Sequence, residues 1–512
     1  MQDALLYGKS GIKKIVGLEV TDNVTELFIQ NDDGSVRSEF KPNTFWLLSN
    51  SKLTNKAIKL EGDLHFKYGY QFSSREDFES ARQVYKNSDI YSVWNAEEAC
   101  QIKDGYTFYR DMKPSDLSIF SFDLETTGLD GKLKSGKILI ISTTFRDSFG
   151  KSINKLFTYD QYKTERELLE SFCNYLRECN PSVVTGHNII GFDFPYLKAR
   201  CEVTGAKLSM GRNDSEVKFN RYDSKFRLDG TRDLLYKNIS IYGREVVDTF
   251  FLVTSFDVGK TFESHALKPL IKQLGFEKEG RQYYDAGSIK DHYKNPTEWK
   301  KIKDYAESDA EDAIKLFDHM APLYFNMCPM IPKPFSEILL TASGSKINAL
   351  LVRAYLQDKH SIPKATPTEA FQGALSFAVS GIYNNCFKID IASLYPNIIV
   401  NYEVFDIDKD PKGYLLELVK SFKESRLKLK KLAAETGDPL YKQMDTTTKG
   451  ILNSFFGFFS AAGLNFNSPE CGSFITAKGR ELLGVTIKWA SGKEVSEFVH
   501  EQEGEIEDAE TT

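Results

Sequence analysis

The sequence contains no CxxC pair. Its seven cysteines, Cys100, Cys173, Cys179, Cys201, Cys328, Cys386 and Cys471, are scattered along the chain. A zinc site and a disulfide framework are therefore without support, and reduced thiols in a cytoplasmic protein are the expectation. No apolar run is long enough to span a membrane and no signal peptide opens the chain, so no membrane partner is expected. An excess of positive charge is missing too: 66 Lys and Arg stand against 72 Asp and Glu, a net charge of −6. Bulk charge gives no pointer to nucleic acid, and any such contact must rest on local basic clusters. No internal repeat is visible. What is present is 512 residues of ordinary globular composition, 41% apolar and 27% charged, enough for several domains with cores of their own.

The pattern along the chain predicts a multidomain protein of α/β and α+β parts. Residues 1 to about 110 read as short strands and turns. Val16 to Ile29 alternates apolar and polar residues, and Asn31-Asp32-Asp33-Gly34 is a hairpin turn signal. From Leu117 strands alternate with helices: strands over Leu117–Leu124 and Lys137–Phe145, a helix over Glu165–Cys179, and a strand from Pro181 to Thr185. Three prolines between Met327 and Pro334 mark a boundary. Beyond it, a strand is expected over Cys386–Ile391. Two helices, Leu415–Glu435 and Leu440–Phe459, are joined by Thr436-Gly437-Asp438-Pro439 as a helical hairpin. The residues from Glu501 hold six acids and no base and read as a disordered, solubilising tail.

Three segments carry one kind of chemistry. In Phe120-Ser121-Phe122-Asp123-Leu124-Glu125-Thr126-Thr127-Gly128, Asp123 and Glu125 are two apart on a strand and so share a face. Carboxylates at a strand end suit hard divalent cations. Gly186-His187-Asn188-Ile189-Ile190-Gly191-Phe192-Asp193 follows another strand and puts Asp193 at a helix start. Tyr305 and Asp309, four apart in Tyr305-Ala306-Glu307-Ser308-Asp309, share a helical face. Taken singly, each has a plain structural explanation: a solvated strand end, a capped loop, an amphipathic helix.

Taken together and in this order, they resemble the three exonuclease motifs of the family B DNA polymerases. The resemblance implies a ribonuclease H-like domain of the D-E-D-D type with the Y-x-x-x-D form of its last motif. It implies that Asp123, Glu125, Asp193 and Asp309 bind two Mg²⁺ ions, with Mn²⁺ as an alternative, and that Tyr305 orients the attacking water. Asn188 and Phe192 would contact the frayed 3′ end of DNA, Phe192 by stacking. Phosphodiester hydrolysis near neutral pH calls for such a pair of ions about 4 Å apart. His187 stands where the family often has tyrosine and is read as structural.

A second set resembles half of a polymerase site. Cys386-Phe387-Lys388-Ile389-Asp390-Ile391-Ala392-Ser393-Leu394-Tyr395-Pro396 is similar to the family's motif A, D-x-x-S-L-Y-P. The resemblance makes Asp390 a metal ligand, places Leu394 and Tyr395 along the incoming deoxynucleotide, and makes Tyr395 the gate against a 2′-hydroxyl. The hairpin resembles the fingers. Lys449-Gly450-Ile451-Leu452-Asn453-Ser454-Phe455-Phe456-Gly457 is similar to motif B, K-x-x-x-N-S-x-Y-G. Arg426, Lys430 and Lys449 would grip the triphosphate, with Asn453 beside them. Phe456 and Gly457 would meet the DNA, with Phe456 lacking the hydroxyl of the usual Tyr. Phe371-Gln372-Gly373-Ala374 is similar to the segment linking the two regions, and Ile475 to Glu481 to the palm helix before motif C.

The resemblance implies these boundaries: an amino-terminal domain over 1–116 with 329–372 returning to it, the exonuclease over 117–328, palm over 373–414, fingers over 415–459, further palm over 460–492 and the tail over 493–512. The D-T-D segment and the thumb that follow in the family do not occur in the sequence. The later D-x-D at Asp406-Ile407-Asp408 precedes the fingers and reads as a loop. The expectation is the amino-terminal subunit of a split replicative polymerase with proofreading, bound to primer–template and deoxynucleoside triphosphates. Nucleotide addition would await a carboxy-terminal fragment with motif C and thumb, and a sliding clamp would be a further partner. The alternatives are a stand-alone 3′–5′ exonuclease with a vestigial palm and a non-catalytic DNA-binding remnant.

Overall fold

The computed structural model describes residues 2–497 except 229–231, 258, 282, 369–370, 377 and 379–380. The amino-terminal alternation folds as an antiparallel meander of Ile15–Thr21, Val24–Gln30 and Val36–Pro42. The turn at residues 31–34 joins the last two strands. Gly34 takes the left-handed conformation there, with φ 80°, and Asn31 N donates to the Ser35 carbonyl at 2.8 Å. A second sheet places Phe45–Ser49 between Tyr68–Phe72 and Ile90–Tyr91. The Ser343–Gln357 helix packs on the Ala96–Asp104 helix, and buried Arg353 donates to the carbonyls of Leu5 and Leu6 at 3.1 and 2.8 Å.

The central sheet has five strands. Ile119–Thr126 lies in the middle, antiparallel to Ile138–Arg146, with Ser152–Thr158 outside that strand. On its other side run Val183–Gly186 and then Glu245–Asp248, both parallel. Phe120 and Phe122 pack against Phe172 of the Glu165–Cys179 helix. The opposite face, with Asp123 and Glu125, is covered by the long helix Pro296–Phe325. That helix starts where Asn295 accepts from the backbone of Thr297 and Glu298, with Pro296 at the first position. A basic hairpin, Lys218–Arg227 and Asp233–Ser240, projects from this part of the chain.

Beyond residue 390 the regular structure among the described residues is helical. Tyr414–Thr436 and Pro439–Ser460 form the expected antiparallel hairpin, closed by Gly437 at φ 67° and capped by Asp438. The Pro469–Ser491 helix crosses its base. One continuous apolar core runs from Leu5 to Ile475. No helix among the described residues is long and apolar enough to cross a membrane.

The strand expected over Cys386–Ile391 is not formed. The segment is irregular, Phe387 is 94% exposed and Ile389 53% exposed. A β-strand is stabilised by neighbours that take its backbone hydrogen bonds and cover its side chains, and no described strand pairs with this one. The acidic stretch from Glu501 lies outside the described residues.

Candidate active site

The strand end at Asp123 is held in register by the Ile138–Arg146 strand: Asp123 stands opposite Ser142, and Glu125 opposite Ile140. Strand alternation aims both carboxylates at the long helix, which presents Tyr305 and Asp309 one turn apart. The result is a cluster in which one oxygen each of Asp123, Glu125 and Asp309 lies within 4.8 Å of the others. Burial and the Asp309 charge push Asp123 up to about 8. Burial, then Asp123 and Asp309, hold Glu125 well above the usual carboxylate range. Three carboxylates, Glu125 and Asp309 buried and Asp123 partly so, form in mutual repulsion a hard-oxygen donor set, which fits one or more divalent cations.

Asp193 is brought close but not into that trio. It opens the Asp193–Thr204 helix, and its Oδ1 accepts from the Leu124 backbone N–H at 3.1 Å. Burial and the neighbouring Asp123 and Asp248 raise it well above the usual range. Tyr305 is almost wholly buried, and Lys268 Nζ donates to its hydroxyl and sits 4.2 Å from its ring. Lys268 also lies 3.6 Å from Asp309 Oδ2, and Arg281 donates to Asp309 Oδ1 at 2.7 Å. Asp309 is raised by burial, and the two cations oppose that rise.

Asn188 and Phe192 lie on the rim. Asn188 has φ 65°, and its backbone N–H donates to Asp248 Oδ1 at 2.8 Å. Asp248 also accepts from Ile190 and Phe250, so one buried carboxylate fixes the whole turn. Gly186 begins it: a Cβ there would stand 2.5 Å from the Phe122 carbonyl oxygen, so the turn can approach the central strand only without a side chain. Phe192 is half-buried against Tyr196. His187 is bonded to Thr249 and the His265 carbonyl, and burial lowers it to about 4, in keeping with a neutral structural ring. The side chain of Asn188 faces a 440 Å³ cleft that Lys132, Lys198 and Lys237 also line, reaching the basic hairpin.

Lys268, Arg281 and Asp248 escaped the sequence reading. Asp248 could have been found, because an acid between the strand Glu245–Val247 and an apolar run is a helix-cap signal. Lys268 and Arg281 carry no local pattern that marks them, since only the fold brings them to Asp309.

The second set is assembled unevenly. Tyr395 packs on Phe456 with ring centroids 4.6 Å apart, and on Gly479, where a Cβ would come within 3.0 Å of the Tyr395 ring. Leu394 begins a helix after Ser393, whose Oγ accepts from Arg426 at 2.8 Å. Arg426 also pairs with Asp445 at 3.0 Å. Lys430, Lys449, Asn453 and Gly457 are exposed on the hairpin. Asp390 stands apart, exposed and without a hydrogen bond or ion pair among the described residues.

Residues 81–267 match the family described as DNA polymerase family B, exonuclease domain. The DNA polymerase of Thermococcus sp. (strain 9oN-7) is 25% identical over 410 residues, 73% of this chain and 51% of that protein. DNA polymerase 1 of Pyrococcus abyssi is 24% identical over 407 residues, 72% of this chain and 50% of that one. The chain thus spans about half the length of these curated relatives. The structure of the family B DNA polymerase from Pyrobaculum calidifontis superposes with a TM-score of 0.73 at 16% identity, covering 93% of this chain and 72% of that one.

Proposed function

We propose that this chain is a member of the family B DNA polymerases and that it removes nucleotides from the 3′ end of DNA at the Asp123 cluster. The observation that carries this reading is the convergence of Asp123, Glu125 and Asp309 within 4.8 Å. In the proposal, Asp123, Glu125, Asp193 and Asp309 hold two Mg²⁺ ions, with Mn²⁺ able to substitute, and Asp193 turns inward from the Leu124 amide. Such ions supply, when bound, a water acidified enough to act near neutral pH and charge to meet the leaving oxygen. Tyr305 orients the attacking water through its hydroxyl. Lys268 donates to the phenol oxygen and the Asp309 carboxylate lies within reach of the phenolic proton, so the two together set the direction of that hydroxyl. Phe192 stacks on the terminal base and Asn188 contacts the same nucleotide.

We further propose that nucleotide addition uses Asp390, Tyr395, Arg426, Lys430, Lys449 and Asn453. It requires polypeptide that supplies a second palm carboxylate and neighbouring strands, whether continuous with this chain or separate from it. The substrates would be primer–template and deoxynucleoside triphosphates. The exposed state of Asp390 supports this, since a lone carboxylate cannot hold two ions against a triphosphate. The same observation favours a second reading for these residues by themselves, a nuclease alone.

The test uses the purified chain, a labelled primer–template with a mismatched 3′ end, Mg²⁺ and all four deoxynucleotides. Shortening without extension, lost on joint Asp123→Ala and Glu125→Ala substitution, is expected. Shortening that persists in that variant would place the nuclease elsewhere, and extension by this chain alone would overturn the requirement for further polypeptide.

A further inference from the structure

A cleft of 540 Å³ opens where the end of the long helix, the start of the Ser343–Gln357 helix and the Pro439–Ser460 helix converge. Its inner wall is apolar, with Met327, Ile331, Leu339, Ile347 and Ile451 all buried. Its mouth carries Thr341 and Ser343, which are partly or fully open to solvent. Into this wall is set Lys346, only 8% exposed. Its ammonium has no hydrogen bond and no ion pair among the described residues, and sits 5.6 Å from the Tyr324 ring.

That is unlike other buried cations of the chain. Lys333 pairs with Glu98, Arg200 with Glu165, and Arg353 donates to backbone carbonyls. The carboxylate of Glu245 is taken up by Ser336. Burial lowers Lys346 to about 8, with Cys328 opposing and Lys333 assisting, so the amine still carries its proton for most of the time at neutral pH. A protonated amine set in the wall of an apolar cavity of ligand size, with no protein acceptor among the described residues, is a strong donor available to a ligand.

We propose that this cleft binds a small organic anion with an apolar body, its carboxylate on Lys346 and its body against Met327, Ile331, Leu339 and Ile451. The occupant would touch both the long helix, which carries Tyr305 and Asp309, and the helix that carries Lys449 and Asn453. It would therefore tie the nuclease region to the helical hairpin.

The test is a titration of the full chain, carrying ¹³C-methyl methionine, with 4-phenylbutyrate and separately with its uncharged counterpart 4-phenylbutan-1-ol. The Met327 methyl signal is assigned by Met327→Leu. Saturable movement of that signal is expected with the acid, with the alcohol at least about tenfold weaker, as fits loss of a charge-assisted hydrogen bond. Lys346→Gln should weaken the acid by about the same factor and leave the alcohol unchanged, while Lys346→Arg should keep affinity for the acid within about threefold. Thermal midpoints of both variants at or above that of the parent chain would show that they fold. Equal binding of acid and alcohol, unchanged binding in Lys346→Gln, movement confined to other methionines, or no movement at all would each overturn the proposal.

Discussion

Phe120-Ser121-Phe122-Asp123 and Phe387-Lys388-Ile389-Asp390 have nearly the same pattern: two apolar residues that alternate, then an acid. In the first, both phenylalanines are fully buried and the acid belongs to a cluster of three. In the second, Phe387 and Ile389 are exposed and the acid stands alone. The difference lies in the neighbours. Ile138–Arg146 and Val183–Gly186 flank the first segment and take its backbone hydrogen bonds, and helices cover both faces. The second has no flanking strand among the described residues. A strand-like sequence thus states a capacity, and the sheet around it decides whether the capacity is used.

The sharpest way to break the comparison is to remove the carboxylates of the first segment. Asp123→Ala with Glu125→Ala should lower 3′–5′ hydrolysis of a labelled single strand by more than about 10³-fold, since the proposed ions would lose two of their anionic ligands. A smaller loss, on the order of 10- to 100-fold, is expected for Tyr305→Phe, which removes the hydroxyl proposed to orient water and leaves every carboxylate in place. Single-turnover rates would distinguish the two. A Tyr305→Phe loss as large as that of the double variant would mean that the phenol does more than orient.

The same contrast explains what the sequence could and could not reveal. The central strand, the Glu165–Cys179 helix and the two helices of the hairpin were legible to within a residue or two, because each has strong periodicity and its own stop signals. Spacing placed Asp123 and Glu125 on one strand face and Tyr305 and Asp309 on one helical face, and only the resemblance to the exonuclease motifs joined the two pairs into one expected set. The Cys386–Ile391 strand was misread, because periodicity reports on burial that other segments must provide. Lys268 and Arg281 were invisible for the converse reason: they reach Asp309 only through tertiary structure, from a loop and a short helix that nothing local ties to it. Asp193 shows an intermediate case. Its place at a helix start was legible, but its bond to the Leu124 N–H could not be read from a linear pattern.

Protons act on the first segment as well. Asp123 is raised from 3.8 to about 8, and Glu125 is raised with it. An acid whose pKa is higher when folded contributes stability that is fully present below its unfolded value and lost as pH rises through its folded value. Between about pH 4 and pH 8 the metal-free cluster must therefore turn from a stabilising to a destabilising element. The melting midpoint of the chelator-treated chain should fall across this window, and millimolar Mg²⁺ at pH 8 should raise it again by roughly 5 °C. Asp123→Asn with Glu125→Gln should flatten the pH slope and abolish the response to Mg²⁺. A parent chain whose midpoint ignores both pH and Mg²⁺ would mean that the cluster is not a coupled, cation-binding set.

The smallest effect is expected at the other acid, and it tests the lesson most directly. Asp390 is exposed and has no partner among the described residues, so Asp390→Ala removes no hydrogen bond and leaves no buried group unpaired. Its cost to stability should be within about 0.5 kcal/mol, the range of ordinary surface substitutions. Nuclease rates should stay within about twofold, because the substitution touches none of the ligands of the Asp123 cluster. The same substitution made in an assembly that supplies the neighbouring strands should abolish nucleotide addition, since there the carboxylate would hold ions. A marked drop in the melting midpoint of this chain on Asp390→Ala would contradict the exposed, unpaired segment. It would imply that Phe387-Lys388-Ile389-Asp390 already finds sheet neighbours, as Phe120-Ser121-Phe122-Asp123 does.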